Sequence, residues 1–167
     1  ERFFILRGSK PGHFLPSSFV TDYGKTPMPR EPFEVEHLPA GLTLWRTDVL
    51  RELRYDNWFS GYAYAQDKEL SFRLTREWKA LCVPTAIGYH VKSERSRLPS
   101  RRLGEMKARN QFYIFRKHFN TSFLQRMAFA WAMLGQLFIL ILGALSAPGT
   151  PARCSEIIGM ASTCLRE

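Results

Sequence analysis

The sequence predicts an α/β domain followed by a helix that crosses a membrane. Three observations carry that expectation. Short β-type runs at residues 42–46 and 86–91 flank a helical pattern with an apolar stripe. Residues 127–152 contain no charged side chain. The basic residues gather just ahead of that run, with nine Lys and Arg between Lys92 and Lys117 against Glu94 and Glu105.

In chain order, residues 3–6 are apolar and suit a short strand. Gly8, Pro11, Gly12, Pro16, Gly24, Pro27, Pro29 and Pro32 then interrupt the chain too often for a long regular element. An extended surface excursion is expected there, with one strand near residues 18–21. Residues 34–46 end in the β-type run Leu42-Thr43-Leu44-Trp45. Thr47 is a good N-cap with Asp48 in the first turn, and Val49, Leu50 and Leu53 form the buried face of a short helix.

Residues 56–64 form an aromatic, Gly-containing loop. Trp58, Phe59, Tyr62 and Tyr64 can stack against sugar rings or bury one another, and burial is the commoner fate. Trp58 is the one candidate for contact with a bound molecule. Beyond Gln66-Asp67, the side chains Leu70, Leu74, Trp78 and Leu81 fall on one stripe of a helix of about three turns. Pro84 ends that reading, and residues 86–91 read as a strand carrying His90.

Asp67 therefore stands at a helix N-terminus, where free N–H groups and the dipole favour an ionised carboxylate. An ionised Asp beside an aromatic loop is fit for general-base work once a substrate hydroxyl comes within hydrogen-bond reach. The same position equally suits an Asp that only caps its helix. His90 likewise fits either a metal ligand or a packed strand histidine.

The order of these pieces adds to each of them. Gly41 precedes a hydrophobic run ending at Arg46, followed by Thr47-Asp48, Tyr55-Asp56, Trp58-Phe59, Gln66-Asp67, Leu70-Ser71, Arg73, Pro84, Ala86 and His90. This series resembles the second half of the nucleotide-sugar-binding domain of bacterial family 2 glycosyltransferases, which have the GT-A fold, a mixed sheet with flanking helices. The family pattern reads Gly, hydrophobic strand, Arg and an acidic helix start, then Phe-Asp, Glu-Asp-x-x-Leu-Ser-x-Arg and Pro-x-Ala-x-x-x-His. The resemblance covers residues 1–119 and leaves residues 120–167 as a membrane-anchoring helix and short tail.

The resemblance implies that Asp67 is the catalytic base and that His90 completes a divalent-metal site for Mg²⁺ or Mn²⁺. It also implies that Pro39-Ala40-Gly41 forms the loop facing acceptor and donor. Gln66 stands where the family has Glu, keeping size and hydrogen-bonding capacity but not charge. The family's donor half, with its Asp-x-Asp, would precede this stretch. The chain opens at Glu1 rather than Met and contains no Asp-x-Asp, so a piece of a longer enzyme is expected.

The formal net charge is +9, and the 92–117 cluster calls for an anionic partner: nucleic acid, anionic lipid or a phosphorylated substrate. Arg95 and Arg97 can clamp phosphates bidentately or sit in a solvated loop. Cys82, Cys154 and Cys164 are too few and too scattered for a disulfide scaffold or zinc spacing, and suit a reducing compartment.

From Leu103 the pattern turns helical, with Arg109, Arg116 and Lys117 interleaved with Phe112, Tyr113, Phe115 and Phe119. Such a helix suits a membrane surface as well as an ordinary solvated face. In residues 127–145 only Gln136 is strongly polar, and that is about the length needed to cross a bilayer core. Arg116, Lys117 and Arg126 on its N-terminal side, against Arg153 beyond the other end, put the catalytic part in the cytoplasm at the cell (inner) membrane. The expected activity is inverting transfer from a nucleotide-sugar to a hydroxyl of a glycan or lipid-linked acceptor. A lapsed, membrane-anchored interaction module is the alternative. A nucleic-acid binder is disfavoured by the apolar run and the lack of a reader motif.

Overall fold

A computed structural model describes residues 3–4, 8–23, 28–89, 91, 98–146 and 151–167. It is a small mixed α/β fold with a two-stranded sheet and five helices among the described residues. The chain divides into two compact units. One comprises Arg7–Leu15 and Val20–Lys92, the other Glu1–Leu6, Pro16–Phe19 and Ser93–Glu167.

The first unit is built from β1 (Phe33–Val35), α1 (Thr47–Leu53), α2 (Gln66–Leu74) and β2 (Ala80–Cys82). β1 and β2 pair antiparallel, with Phe33 opposite Cys82, Glu34 opposite Leu81 and Val35 opposite Ala80. Strand alternation sends Phe33, Val35, Ala80 and Cys82 to one face. There they meet Val49 and Leu53 of α1, Leu74 of α2, and Trp45 and Trp78. Leu70 is fully buried on α2.

Helix α1 opens at Thr47, as its acidic first turn predicts, although Arg46 occupies the capping position and Thr47 is already helical. Helix α2 begins at Gln66 but ends at Leu74, about two turns short of the expected stripe. Arg76 and Glu77 donate to Arg73 and Leu74 carbonyls in tight i→i+3 bonds, and the chain then leaves to pair β2 with β1. Leu74 and Trp78 meet in the core as the stripe predicts and Leu70 is buried, whereas Leu81 lies in a strand and is 57% exposed.

The β-type run at residues 42–45 forms no ladder, and Leu44 is wholly exposed. Strand propensity is realised only against a neighbouring strand, and among the described residues none pairs with it. The described residues of the 86–91 run also form no strand. Near residues 18–21 the expected strand is reduced to one bridge, Phe14 to Val20.

A buried ion pair ties α2 to α1. Glu69 is fully buried and receives Arg73 Nε at 2.9 Å, while Arg73 Nη1 and Nη2 donate to the carbonyls of Leu53 and Arg54 at 2.6 and 2.7 Å. The guanidinium thus closes the C-terminal end of α1, where carbonyls lack helical partners.

In the loop before α2, Ala63 has φ 48° and Ala65 has φ 67°. A left-handed conformation costs a residue with a Cβ roughly 1–2 kcal/mol. Glycine avoids that at an entropic cost of roughly 0.5–1 kcal/mol. Ala63→Gly is therefore expected to stabilise the unit by about 0.5–1 kcal/mol in urea titrations. A loss of stability would show that the Ala63 methyl packs more usefully than its backbone strains.

The second unit holds α3 (Ser100–His118), α4 (Phe123–Ser146) and α5 (Pro151–Cys164). Pro99 precedes α3 in the N-cap position. Gln111 Nε2 donates to Ser18 Oγ at 2.8 Å and to its carbonyl at 3.1 Å, fixing Pro16–Phe19 on α3. Phe115 stacks on Phe129 of α4, with centroids 4.0 Å apart and rings 9° from parallel. Phe3 and Phe4 pack on Trp131, whose indole donates to the Phe3 carbonyl at 2.8 Å.

Helix α4 is, among the described residues, the one helix long and apolar enough to cross a membrane. It has 24 residues, mean hydropathy 2.1, and only 22% of its apolar window is buried. At 1.5 Å per residue it reaches about 36 Å, more than a hydrocarbon core of about 30 Å. Phe123, Leu124, Leu134 and Leu145 are among its exposed side chains.

Candidate functional site

The first turn of α2 and the segment from Glu36 to Gly41 form the site. Asp67 and Ser71 lie one turn apart, on one face of α2, while the N–H groups of Leu38 and Ala40 alternate along the facing segment. Leu38 N donates to Ser71 Oγ at 2.9 Å and Ala40 N to Asp67 Oδ2 at 3.1 Å. Ser71 Oγ in turn donates to the Asp67 carbonyl at 2.6 Å. These bonds fasten the Pro39-Ala40-Gly41 loop to the start of the helix.

Asp67 is partly open, its side chain 23% exposed, with His37 Nε2 at 3.7 Å from Oδ2 and Lys68 N donating to Oδ1 at 2.9 Å. Burial opposes ionisation here. The His37 side chain and the N–H groups of Ala40 and Lys68 outweigh it and hold the carboxyl below its ordinary value. Burial also pushes the Lys68 ammonium down to about 8, against the pull of Asp67.

That depression has a measurable consequence. A carboxyl whose folded pKa is lowered contributes stability that is complete above the ordinary value of 3.8 and lost as pH falls through the folded value. The stability gap between wild type and Asp67→Asn in urea titrations is therefore expected to be widest near neutrality and to close in acid. A gap that does not change with pH would mean the carboxyl is unperturbed.

Gly41 follows Ala40 directly in the fastened loop, and Gln66 immediately precedes Asp67, opening α2. Trp58 lies in the loop leading to α2, its N–H on Asp56 Oδ1 at 2.9 Å and its side chain 44% exposed. Of the other aromatics in that loop, Phe59 is buried, and Tyr62 and Tyr64 are exposed. His90, Arg95 and Arg97 lie outside the described residues.

Leu38 and Pro39 also line a groove of about 880 Å³ with Trp45, Trp78, Leu81 and Val83. Its walls are mainly apolar. Arg46 and Lys79 stand at it, already paired with Asp48 at 2.6 Å and Glu34 at 3.3 Å.

His37, the nearest imidazole to the carboxylate among the described residues, gave no signal in the sequence. It is 30 residues from Asp67 and belongs to no local motif; only the fold joins them. Ser71 and Arg73 stand in the Leu-Ser-x-Arg run of the resemblance, and both prove to hold backbone in place.

Among the described residues, no group of three or more His, Cys, Asp or Glu side chains converges as a metal site. The His37–Asp67 pair alone does not fit a divalent cation. No family model, curated protein or solved structure matches the chain.

Proposed function

We propose that the chain is the acceptor-side part of a membrane-anchored inverting glycosyltransferase of the GT-A type, with Asp67 as its base. The observation that carries this reading is a carboxylate kept ionised, partly open to solvent, and fastened to the loop at Gly41 beside a large groove. Its place within the Gln66-Asp67-x-x-Leu70-Ser71-x-Arg73 series supports the family.

In the proposed reaction, Asp67 takes the proton of an acceptor hydroxyl as that oxygen bonds to the anomeric carbon of the donor. The bond from that carbon to the diphosphate breaks on the opposite face. The nucleoside diphosphate leaves with the electron pair, and the anomeric configuration inverts. A divalent cation, Mg²⁺ or Mn²⁺, belongs to the proposal through the resemblance and would take its ligands outside the described residues, His90 among them. Arg95 and Arg97 are the proposed phosphate contacts.

Helix α4, long and apolar enough to span a bilayer, supports an acceptor that is lipid-linked or close to the membrane. Arg116, Lys117 and Arg126 before its apolar stretch favour a cytoplasmic catalytic part at the inner membrane. The second reading, an interaction module without chemistry, draws on Gln66 in place of Glu.

The test supplies the intact protein, in lipid nanodiscs with membrane lipid extract, with a panel of nucleotide-sugars and Mg²⁺ or Mn²⁺. Donor-dependent release of nucleoside diphosphate and labelled lipid or glycan is the expected result. Folded protein that releases none from any donor would favour the interaction module.

A further inference from the structure

We propose that His37 is a positioning residue for the Asp67 carboxylate: its imidazole holds Oδ2 against the Ala40 loop and leaves Oδ1 to receive the acceptor proton. This rests on the reading of Asp67 as the reacting group. A carboxylate offers roughly four lone-pair sites. Among the described residues the Ala40 N–H bonds Oδ2, which the His37 imidazole also faces at 3.7 Å, and the Lys68 N–H bonds Oδ1, so Oδ1 keeps a second site for a hydroxyl.

His37 is itself held from several sides. Its N–H donates to the Gly12 carbonyl at 3.0 Å, and its carbonyl accepts the Tyr23 hydroxyl. Burial raises the Tyr23 phenol well above its ordinary pKa, so that donor stays protonated. The edge of Phe14 meets the imidazole with centroids 6.5 Å apart. Gly12 makes this possible: it has φ 68°, and a Cβ there would fall on the Tyr23 hydroxyl.

The other nearby acid does not compete. Glu36 Oε2 accepts the Phe14 N–H at 2.8 Å and lies 3.5 Å from His13 Nδ1. The imidazole of His37 is directed at Asp67 instead, its side chain only 16% exposed. The pair at 3.7 Å is longer than a hydrogen bond and short enough for an attraction that burial strengthens. Among the described residues, Lys68, Glu36, His13 and Tyr23 are the other titratable groups around it.

The test is a carbon-13 titration of the Asp67 carboxyl in the full chain in nanodiscs, its resonance assigned with Asp67→Asn. In wild type the Asp67 midpoint is expected to lie below the ordinary carboxyl value. In His37→Phe, which keeps a ring beside Phe14 but no donor, the carboxyl midpoint is expected to rise toward the ordinary value. His37→Gln, which returns the dipole of an N–H at similar reach but no positive charge, is expected to bring it part of the way back.

A wild-type Asp67 midpoint at the ordinary carboxyl value would overturn the proposal without any variant having to fold. So would an unmoved midpoint in a folded His37→Phe. Because no substrate is added, these outcomes judge His37 alone. A coupled pair in a protein that transfers no sugar would keep the pair and remove the reaction.

Discussion

On the proposed reading of Asp67 as the base, Asp67→Asn is expected to lower sugar transfer by the intact protein by about 100-fold or more, the scale for losing a general base. Asparagine is the informative replacement because it separates basicity from architecture. Its carbonyl oxygen can still accept the Ala40 N–H, so the Pro39-Ala40-Gly41 loop stays fastened to α2. What it cannot do is take a proton from a hydroxyl at neutral pH. The loss should therefore appear in the maximal rate more than in the donor concentration for half-maximal rate. Asp67→Ala would confuse the two by also freeing the loop. Initial rates of nucleoside diphosphate release at saturating donor make the measurement, and near-normal rates in Asp67→Asn would take the role from this residue.

What the sequence made legible, and what it hid, follows from the range of the forces involved. The start of α1 at Thr47, the N-terminal turn carrying Asp67 and the apolar run of α4 are written in neighbouring residues and appear close to where the pattern put them. Elements that need a distant partner do not. β1 and β2 pair across more than forty intervening residues, and β2 was hidden inside a helical stripe that tertiary pairing cut short. Residues 42–45 had the stronger strand composition and remain outside the ladder, with Leu42 64% exposed.

The site divides in the same way. Asp67, Gln66 and Gly41 could be named from local order. The contacts that tune Asp67 come from His37 and Ala40, brought near by a segment whose own register is set at Gly12 and Tyr23. Glu69 and Arg73 look like an ordinary i, i+4 surface pair in sequence. Only the burial of Glu69 and the two α1 carbonyls reveal them as an internal clamp. Helix α5 was hidden for another reason: Gly159 and its serines and threonines are poor helix formers, and packing on α3 supplies what propensity does not.

That packing sets the second large effect. Gly159→Ala is expected to destabilise the α3–α5 pair by about 3 kcal/mol, the upper end for one added methyl group in a close-packed contact. The two helices cross at reciprocal glycines. A Cβ on Gly159 would lie 2.1 Å from the Arg101 carbonyl oxygen, and one on Gly104 would lie 2.1 Å from that of Glu156. Both obstacles are backbone, so no side-chain rotation relieves either; the helices must separate. Separation would in turn stretch the Lys107–Glu156 ion pair, now 2.6 Å long and partly buried. Since one displacement relieves both clashes, Gly104→Ala combined with Gly159→Ala should cost clearly less than the sum of the two. Gly143→Ala is the control: its nearest contact is the Arg153 guanidinium at 3.8 Å, and the added methyl should leave stability unchanged or raise it through helix propensity. Thermal unfolding of the detergent-solubilised chain reads all four variants. Strict additivity between Gly104 and Gly159 would mean that they do not share one crossing.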